Sequence, residues 1–308
     1  MKFTLRQLQV FAAVARLGSV SRAAQAVALS QSATSTALAE FERMFDCRLF
    51  DRVGKALRIN ALGEQLLPKA VELLDRAAEV EDLLEGRAGL GPLRIGATLT
   101  IGNYLATLIA ADFLQRHADA RLQLTVHNTA GIVEQVAGFE LDLGLIEGPC
   151  RHPDLVTEPW IADDLAVFCA PGHPLAKRHR VPLADLRTEP WILRERGSGT
   201  RERFDQAMAQ QGMEPIVKLE LEHTEAIKRA VESGLGLGCI SRLALREAFR
   251  RGSLILLPTP ELDLSRRFQF LWHKDKYQTA AMREFLSACR TLTRGVARSD
   301  DIPLPYIP

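Results

Sequence analysis

Cysteine is scarce. The five present, Cys47, Cys150, Cys169, Cys239 and Cys289, are odd in number and show no paired spacing, which excludes a disulfide framework or a thiolate zinc site and suits reduced cytosolic thiols. The seven histidines have no ligand spacing either, and His173 and His179, in the polar loop GHPLAKRHRVP, read as solvated surface. Neither a metal nor a cofactor is expected. No apolar run is long enough to span a bilayer and no export signal is present, so secretion and membrane insertion are disfavoured and a cytoplasmic location is expected. A nucleophile beside a base is missing too: neither GSGTR nor any histidine motif supplies one, which argues against a hydrolase or transferase. Gly234, Gly236 and Gly238 precede a strand instead of linking a strand to a helix, so they are not a dinucleotide fingerprint. Net charge is nearly absent, at +1 for the whole chain.

The positive charge that exists is local. Residues 1–60 hold nine Lys and Arg against four Asp and Glu, a balance of +5. The same segment has the apolar spacing of a winged helix-turn-helix. Leu5, Leu8, Phe11, Ala12 and Ala15 build one helix face, Gly18 and Ser19 stop it and cap the next, and a short helix follows over Val20 to Val27. Ser30 can cap a third helix whose Ala33, Ala37, Leu38, Phe41 and Phe45 face inward. Gln31, Ser32, Thr34, Ser35 and Thr36 are then left on its outer end, where they can reach base edges and phosphates. The wing is expected over Phe50–Asn60, with Arg52, Lys55 and Arg58 flanking Gly54. A three-helix interaction module would share the core pattern but would not require the basic wing.

Residues 61–90 reverse the charge, with seven acids and three bases. Leu66, Ala70, Leu73, Ala77, Val80 and Leu84 step by alternate fours and threes, a seam that wants a partner helix, with Leu67 and Leu74 widening it. A helix packed only on its own domain is the alternative. Pro68 predicts a bend in its first third.

From Gly91 the texture is α/β. Strands are expected at Leu93–Ala97, Leu122–His127, Leu141–Ile146, Leu165–Ala170, Val217–Leu221, Leu237–Ile240 and Phe268–Trp272. Helices are expected from near Gly102, Ile132, Thr200, Glu225 and Leu243 and over Ala280 to Thr293. Two lobes joined by crossover strands follow, lobe I over about 91–162 and 267–295 and lobe II over about 163–266. The tail DDIPLPYIP reads as disordered or lightly docked. In open α/β sheets ligands lie beyond the strand ends, where helix starts present N–H groups. Thr98 and Thr100, Asn128 and Thr129, Ser198 with Thr200 and Arg201, and Thr224 occupy such places. Each alone is better read as a cap or turn residue; together they favour a small polar or anionic ligand between lobes.

The stretch LRQLQVFAAVARLGSVSRAAQAVALSQSATSTALAEFE followed by LFDRV resembles the DNA-binding end of LysR-type transcriptional regulators. Gln31, Ser32 and Ser35 match the polar start of that family's recognition helix, and Arg52 and Lys55 its basic wing. Asp46 departs from a usual glycine and Asn60 from a usual threonine cap. The resemblance runs from residue 3 to about 293, and TLTIGNYL, DLGLIEGPC, EPWILRERGSGTRE and EAIKRAVESGLGLGCISR are most similar to the YeiE-type branch, tied to sulfite and sulfur metabolism. It implies a winged helix-turn-helix over 1–60, a linker and dimerisation helix over 61–90 and a periplasmic-binding-protein-like effector domain over 91–308. It also implies a homodimer assembling to a homotetramer on double-stranded promoter DNA, and an anionic or small-molecule co-inducer in the interlobe cleft.

Glu147 closes the third strand of lobe I and is expected to point into that cleft. One reading is an ion pair with Arg194, Arg196 or Arg201. The other is discrimination by charge: a carboxylate beside an anion site repels a dianion and accepts a ligand with a proton to donate, as bisulfite can and sulfate cannot. Cys150, near Glu147, keeps thiol oxidation open as an alternative signal. A solute-binding protein would share the second half but would need an export signal in place of the helix-turn-helix.

Overall fold

Thr4 opens the first helix with a reciprocal cap: Gln7 N donates to the Thr4 hydroxyl oxygen at 3.2 Å and Thr4 N donates to Gln7 Oε1 at 3.0 Å. Two N–H groups that a helix start leaves open are thereby satisfied. The structure is a computed structural model describing residues 2–53, 56–87 and 89–303. Its first helices are α1 (Leu5–Leu17), α2 (Val20–Ala26) and α3 (Gln31–Met44). Gly18 ends α1 at φ 60°, and Ser19 caps α2. Leu8, Phe11, Val14, Ala23, Leu38 and Phe41 form the core between them.

The inward face of α3 differs from its expected register. Ala33 is exposed, Phe45 is largely exposed, and Thr34 is fully buried. The buried line is Thr34, Leu38, Phe41, and the Thr34 hydroxyl donates to Ser30 O at 2.9 Å, so a polar group enters the core already satisfied. Asp46 sits at φ 47°, the left-handed conformation expected where the family has glycine.

The wing is an antiparallel pair, β1 (Phe50–Val53) and β2 (Ala56–Ile59). Asn60 then caps α4 (Ala61–Leu84), its Oδ1 accepting from Gly63 N at 3.0 Å, and α4 passes through Pro68 as one helix. Its first half belongs to the N-terminal core, where Leu67, Ala70 and Val71 are buried. Ala70 therefore faces α1 and not a partner helix. Leu66 and Ala77 are half-buried, whereas Leu73, Val80 and Leu84 are 45%, 54% and 83% exposed. The acidic face of the second half is tied to the following domain. Lys276 Nζ meets Asp75 Oδ2 at 2.6 Å, Ala280 N donates to Glu79 Oε1 at 2.9 Å, and Gly91 N donates to Asp82 Oδ2 at 2.7 Å.

Lobe I begins with β3 (Pro92–Thr98), α5 (Leu99–Ile101), a π-type turn over Gly102–Ala106, α6 (Thr107–Arg116), β4 (Arg121–His127), α7 (Thr129–Ala137) and β5 (Leu143–Glu147). β3 pairs in parallel with β4 and β5. β6 (Leu155–Cys169) then crosses into lobe II, which holds α8 (Leu183–Leu186), β7 (Pro190–Arg194), α9 (Gly199–Gln210), β8 (Ile216–Leu221), α10 (Thr224–Glu232), β9 (Leu237–Ser241), α11 (Arg242–Arg251) and β10 (Ile255–Leu257). β11 (Ser265–His273) returns beside β5 and β6, and α12 (Ala280–Leu292) covers lobe I, where Phe113 and Phe285 rings meet at 5.7 Å. The strand order is β4-β3-β5-β11-β6-β9-β7-β8, with β10 on β6.

All seven expected strands are present; β7, β10 and the first ten residues of β6 were not expected. The segment after α12 is docked more firmly than its composition suggests. Ser299 and Ile302 are buried, and Arg246 Nη1 donates to Ile302 O at 2.7 Å. Residues 304–308 lie outside the described residues, as do Gly54 and Lys55 of the wing.

Candidate effector cleft and DNA-facing helix

The lobes meet where backbone approaches backbone. Gly148, at φ 108°, brings the chain off β5 against the start of α9, and a Cβ on Gly199 would lie 1.8 Å from Glu147 O. Only glycine allows that approach. Gly199 N donates to the Thr129 hydroxyl oxygen at 3.1 Å and Ala130 N to Gly197 O at 3.1 Å, so the helix starts of the two lobes are joined directly.

Beneath this contact Glu147 is 1% exposed. Its Oε1 accepts from Thr100 N at 2.7 Å and from Ile101 N at 3.4 Å, and its Oε2 accepts the Thr200 hydroxyl at 3.0 Å. Arg266 Nη2 forms an ion pair with the same Oε2 at 3.0 Å, while Arg266 Nη1 donates to the Thr200 hydroxyl oxygen at 2.9 Å. The cation paired with Glu147 is therefore Arg266. Arg194 is held by Glu195 at 2.8 Å, and Arg201 by Asp205, Glu220 and the carbonyl of Arg194, each at 2.9 Å. Arg201 is thus a lobe II structural cation and not a free arm for a ligand.

Arg266 is shared. Its Nε donates to Asp163 Oδ2 at 2.7 Å, and Asp163 is its cross-strand partner where β6 and β11 pass between the lobes. Asp163 also accepts the hydroxyls of Ser241, at 2.7 Å, and Ser299. One chain of buried polar groups thus runs from α5 through the crossover strands to lobe II and the docked tail. Burial by itself would raise the Glu147 carboxyl, but Arg266 and Arg194, with Thr98 and Thr100 as donors, hold it below the usual carboxylate range. Asp163 goes the other way, raised by burial despite Arg266 and the two serines. Two carboxylates around one guanidinium leave a residual negative charge when both are ionised.

The other expected cleft residues surround this floor. Thr98, Thr100, Thr200, Thr224 and Ser198 are buried, and the Thr98 hydroxyl lies 3.4 Å from Leu145 O. Asn128 caps α7 through Gly131 N at 3.0 Å. Cavities flank the junction on two sides. One, of about 280 Å³, is bordered by Asn103, His127, Asn128, Glu195 and His223; the other, of about 370 Å³, by Thr129, Cys150, Arg151, His152 and Gly197. Cys150 is half-buried, and burial pushes its thiol up, away from the reactive thiolate. Sequence reasoning missed Arg266, Asp163, Ser241 and Ser299. The pairs Asp163–Asp164 and Arg266–Arg267 at the lobe boundaries were the available signal, since charge inside a strand pattern calls for a partner.

At the N-terminal end Gln31, Ser32, Ser35 and Thr36 are exposed on one end of α3 and Arg52 is exposed on the wing. The Ser30 hydroxyl oxygen caps α3 by accepting from Ala33 N at 3.1 Å and lies 3.0 Å from the Ser32 hydroxyl. Thr34 is turned inward and cannot reach DNA. No described helix is long and apolar enough to cross a membrane.

The family model for the bacterial regulatory helix-turn-helix protein, lysR family, matches residues 5–64, and that for the LysR substrate binding domain matches residues 87–294. The chain is 42% identical over 289 residues to the uncharacterized HTH-type transcriptional regulator YeiE of Escherichia coli (strain K12), covering 94% of this chain and 98% of that one. A full-length OxyR from Pseudomonas aeruginosa shares the fold with a TM-score of 0.70 at 21% identity over 94% of each chain. The Synechocystis PCC6803 CcmR regulatory domain, solved in complex with 2-PG, gives a TM-score of 0.62 at 28% identity, over 67% of this chain and 98% of that one. With a DNA-binding module at one end and an effector-binding module over most of the rest, the chain belongs to the LysR family of non-enzymatic transcriptional regulators.

Proposed function

We propose that promoter binding by this regulator is controlled by sulfite held between the lobes. The observation that carries the reading is the Glu147 floor: an ionised carboxylate, hydrogen-bonded to the Thr100 amide and the Thr200 hydroxyl, beneath the meeting helix starts of both lobes. A ligand between Thr98, Thr100, Asn128, Thr129, Ser198 and Thr200 meets amides and hydroxyls that favour an oxyanion. Below them lies the Glu147 carboxylate, which disfavours a dianion. Bisulfite can donate its proton to Glu147 Oε2 in place of the Thr200 hydroxyl; sulfate has none to give.

The ligand then shifts the population between lobe arrangements, to an extent limited by its differential affinity for them. The change reaches DNA through the division of the chain into a winged domain over 1–60, a helix over 61–90 and an effector domain over 91–308. The exposed Leu73, Val80 and Leu84 supply a dimer seam, and dimers pair into a tetramer acting on the nucleoid in the cytoplasm. A different small anion is the second reading, favoured by the relative whose regulatory domain was solved with 2-PG. Oxidation at Cys150 is a weaker alternative, because its thiol is raised. Footprinting of the intergenic DNA beside the protein's own gene, with and without sulfite, tests the proposal. A protected region whose extent changes with sulfite supports it; a footprint indifferent to sulfite removes sulfite as the effector.

A further inference from the structure

A separate cavity of about 550 Å³ opens where α1, α4 and lobe I meet, and its wall includes Arg6, Gln9, Arg16, Asp75, Arg94 and Asp142. Both aspartates are already engaged. Asp142 receives Arg94 Nε at 3.1 Å and Nη2 at 2.7 Å, and it also meets Lys276 Nζ at 2.6 Å; Asp75 meets the same Lys276 at 2.6 Å. Arg6 donates to Gln9 Oε1 at 3.1 Å and to Val27 O at 2.6 Å.

Arg16 has no such arrangement. Its Nε is buried and meets no hydrogen-bond acceptor among the described residues. Burial, followed by the nearby Arg94, brings its pKa down to about 10, which still leaves it charged at neutral pH. Asp142, Asp75 and the exposed Glu140 act on it in the opposite sense, none of them hydrogen-bonded to its Nε. Arg16 as a whole is half-buried, but a buried guanidinium Nε without an acceptor is costly, and a planar donor fork is suited to two oxygens of one anion. Around this cavity three arginines and Lys276 face two aspartates, so the surplus is cationic.

We propose that this cavity binds a small molecule bearing a phosphate group, whose oxygens accept from Arg16 Nε on one side and from the neighbouring arginines on the other. Arg16 belongs to the DNA-binding domain and Arg94 to lobe I, so the ligand would fasten the one to the other. It would therefore be a second effector site, coupled reciprocally to the relative placement of the two domains.

Inorganic phosphate is the probe, titrated into the full chain at constant ionic strength with chloride as the reference anion. Calorimetry should find saturable phosphate binding, and the melting point should rise with phosphate. Arg16→Gln should weaken that binding about tenfold or more, yet melt no lower than wild type without phosphate, since it removes an unpaired cation. Arg16→Lys, which keeps the charge and loses the fork, should retain part of the response and serves if the glutamine variant does not fold. Thr200→Ala, in the interlobe cleft, should keep the component of phosphate binding that Arg16→Gln loses. Absence of saturable binding overturns the proposal, as does a response lost in Thr200→Ala but kept in Arg16→Gln. So does an Arg16→Gln protein whose only change is its oligomeric state by sedimentation, because the missing acceptor then belongs to a second copy of the chain.

Discussion

At the start of α3 the polar side chains face outward, whereas at the lobe junction they are engaged with one another. Gln31, Ser32, Ser35 and Thr36 are exposed, while Glu147, Thr200, Arg266 and Asp163 are buried and linked by contacts of 2.7–3.0 Å. The first arrangement is open to a ligand of any size that presents acceptors and donors, and duplex DNA is such a ligand. On the proposed reading the second would admit only a small ligand that exchanges hydrogen bonds with a buried network, in which Arg266 Nη2 is ion-paired to Glu147 but has no hydrogen-bond acceptor. Specificity at the first site lies in what it contacts; at the second it lies in what the existing network tolerates.

Breaking the closed network should have the largest effect. Arg266→Met leaves Glu147 and Asp163 buried without their shared cation, and loss of one partner from such a cluster costs about 3–5 kcal/mol. Urea unfolding of the effector domain within the full chain measures it, and a loss below about 1 kcal/mol would mean that the network is not the structural joint between lobes. The open side is sharpened by Leu73→Asp, which places a charge on the exposed half of α4. Sedimentation should then show dissociated chains and operator binding should fall, with the effector domain still folded. An intact dimer would move the interface elsewhere. The smallest effect is expected at the wing. Arg52→Ala should weaken binding to all DNA sequences alike and reduce the salt slope by about 1, whereas Ser35→Ala should relax sequence preference and leave the slope in place.

The parts legible in the sequence were those governed by local periodicity. Caps at Ser19, Ser30 and Asn60 and all seven strands follow from nearest-neighbour rules, whereas the left-handed Asp46 came from the resemblance, which has glycine there. Thr34 was misplaced because a back-bonded threonine can enter a core that spacing alone assigns to Ala33. Ala70 was placed in the seam because one helix face serves two partners, its own domain first and a second chain later. The cleft residues on lobe I and lobe II helix starts could be collected from strand ends. Arg266 and Asp163 could not, since their pairing depends on the register of β6 against β11 across 103 residues.

In the proposed mechanism Glu147 makes the cleft accept a protonated oxyanion and refuse a dianion. Its lowered pKa fixes the sign on the protein's side: the carboxylate is present at neutral pH and is lost only as pH falls through that depressed value, while loss of the ligand's own proton should weaken the discrimination as pH rises. Calorimetry of sulfite and of sulfate against the full chain at neutral pH, for wild type and Glu147→Gln, tests this most directly. The account predicts that wild type binds sulfite well above sulfate and that Glu147→Gln narrows the ratio. Equal binding of the two anions by wild type, or an unchanged ratio in Glu147→Gln, would contradict it.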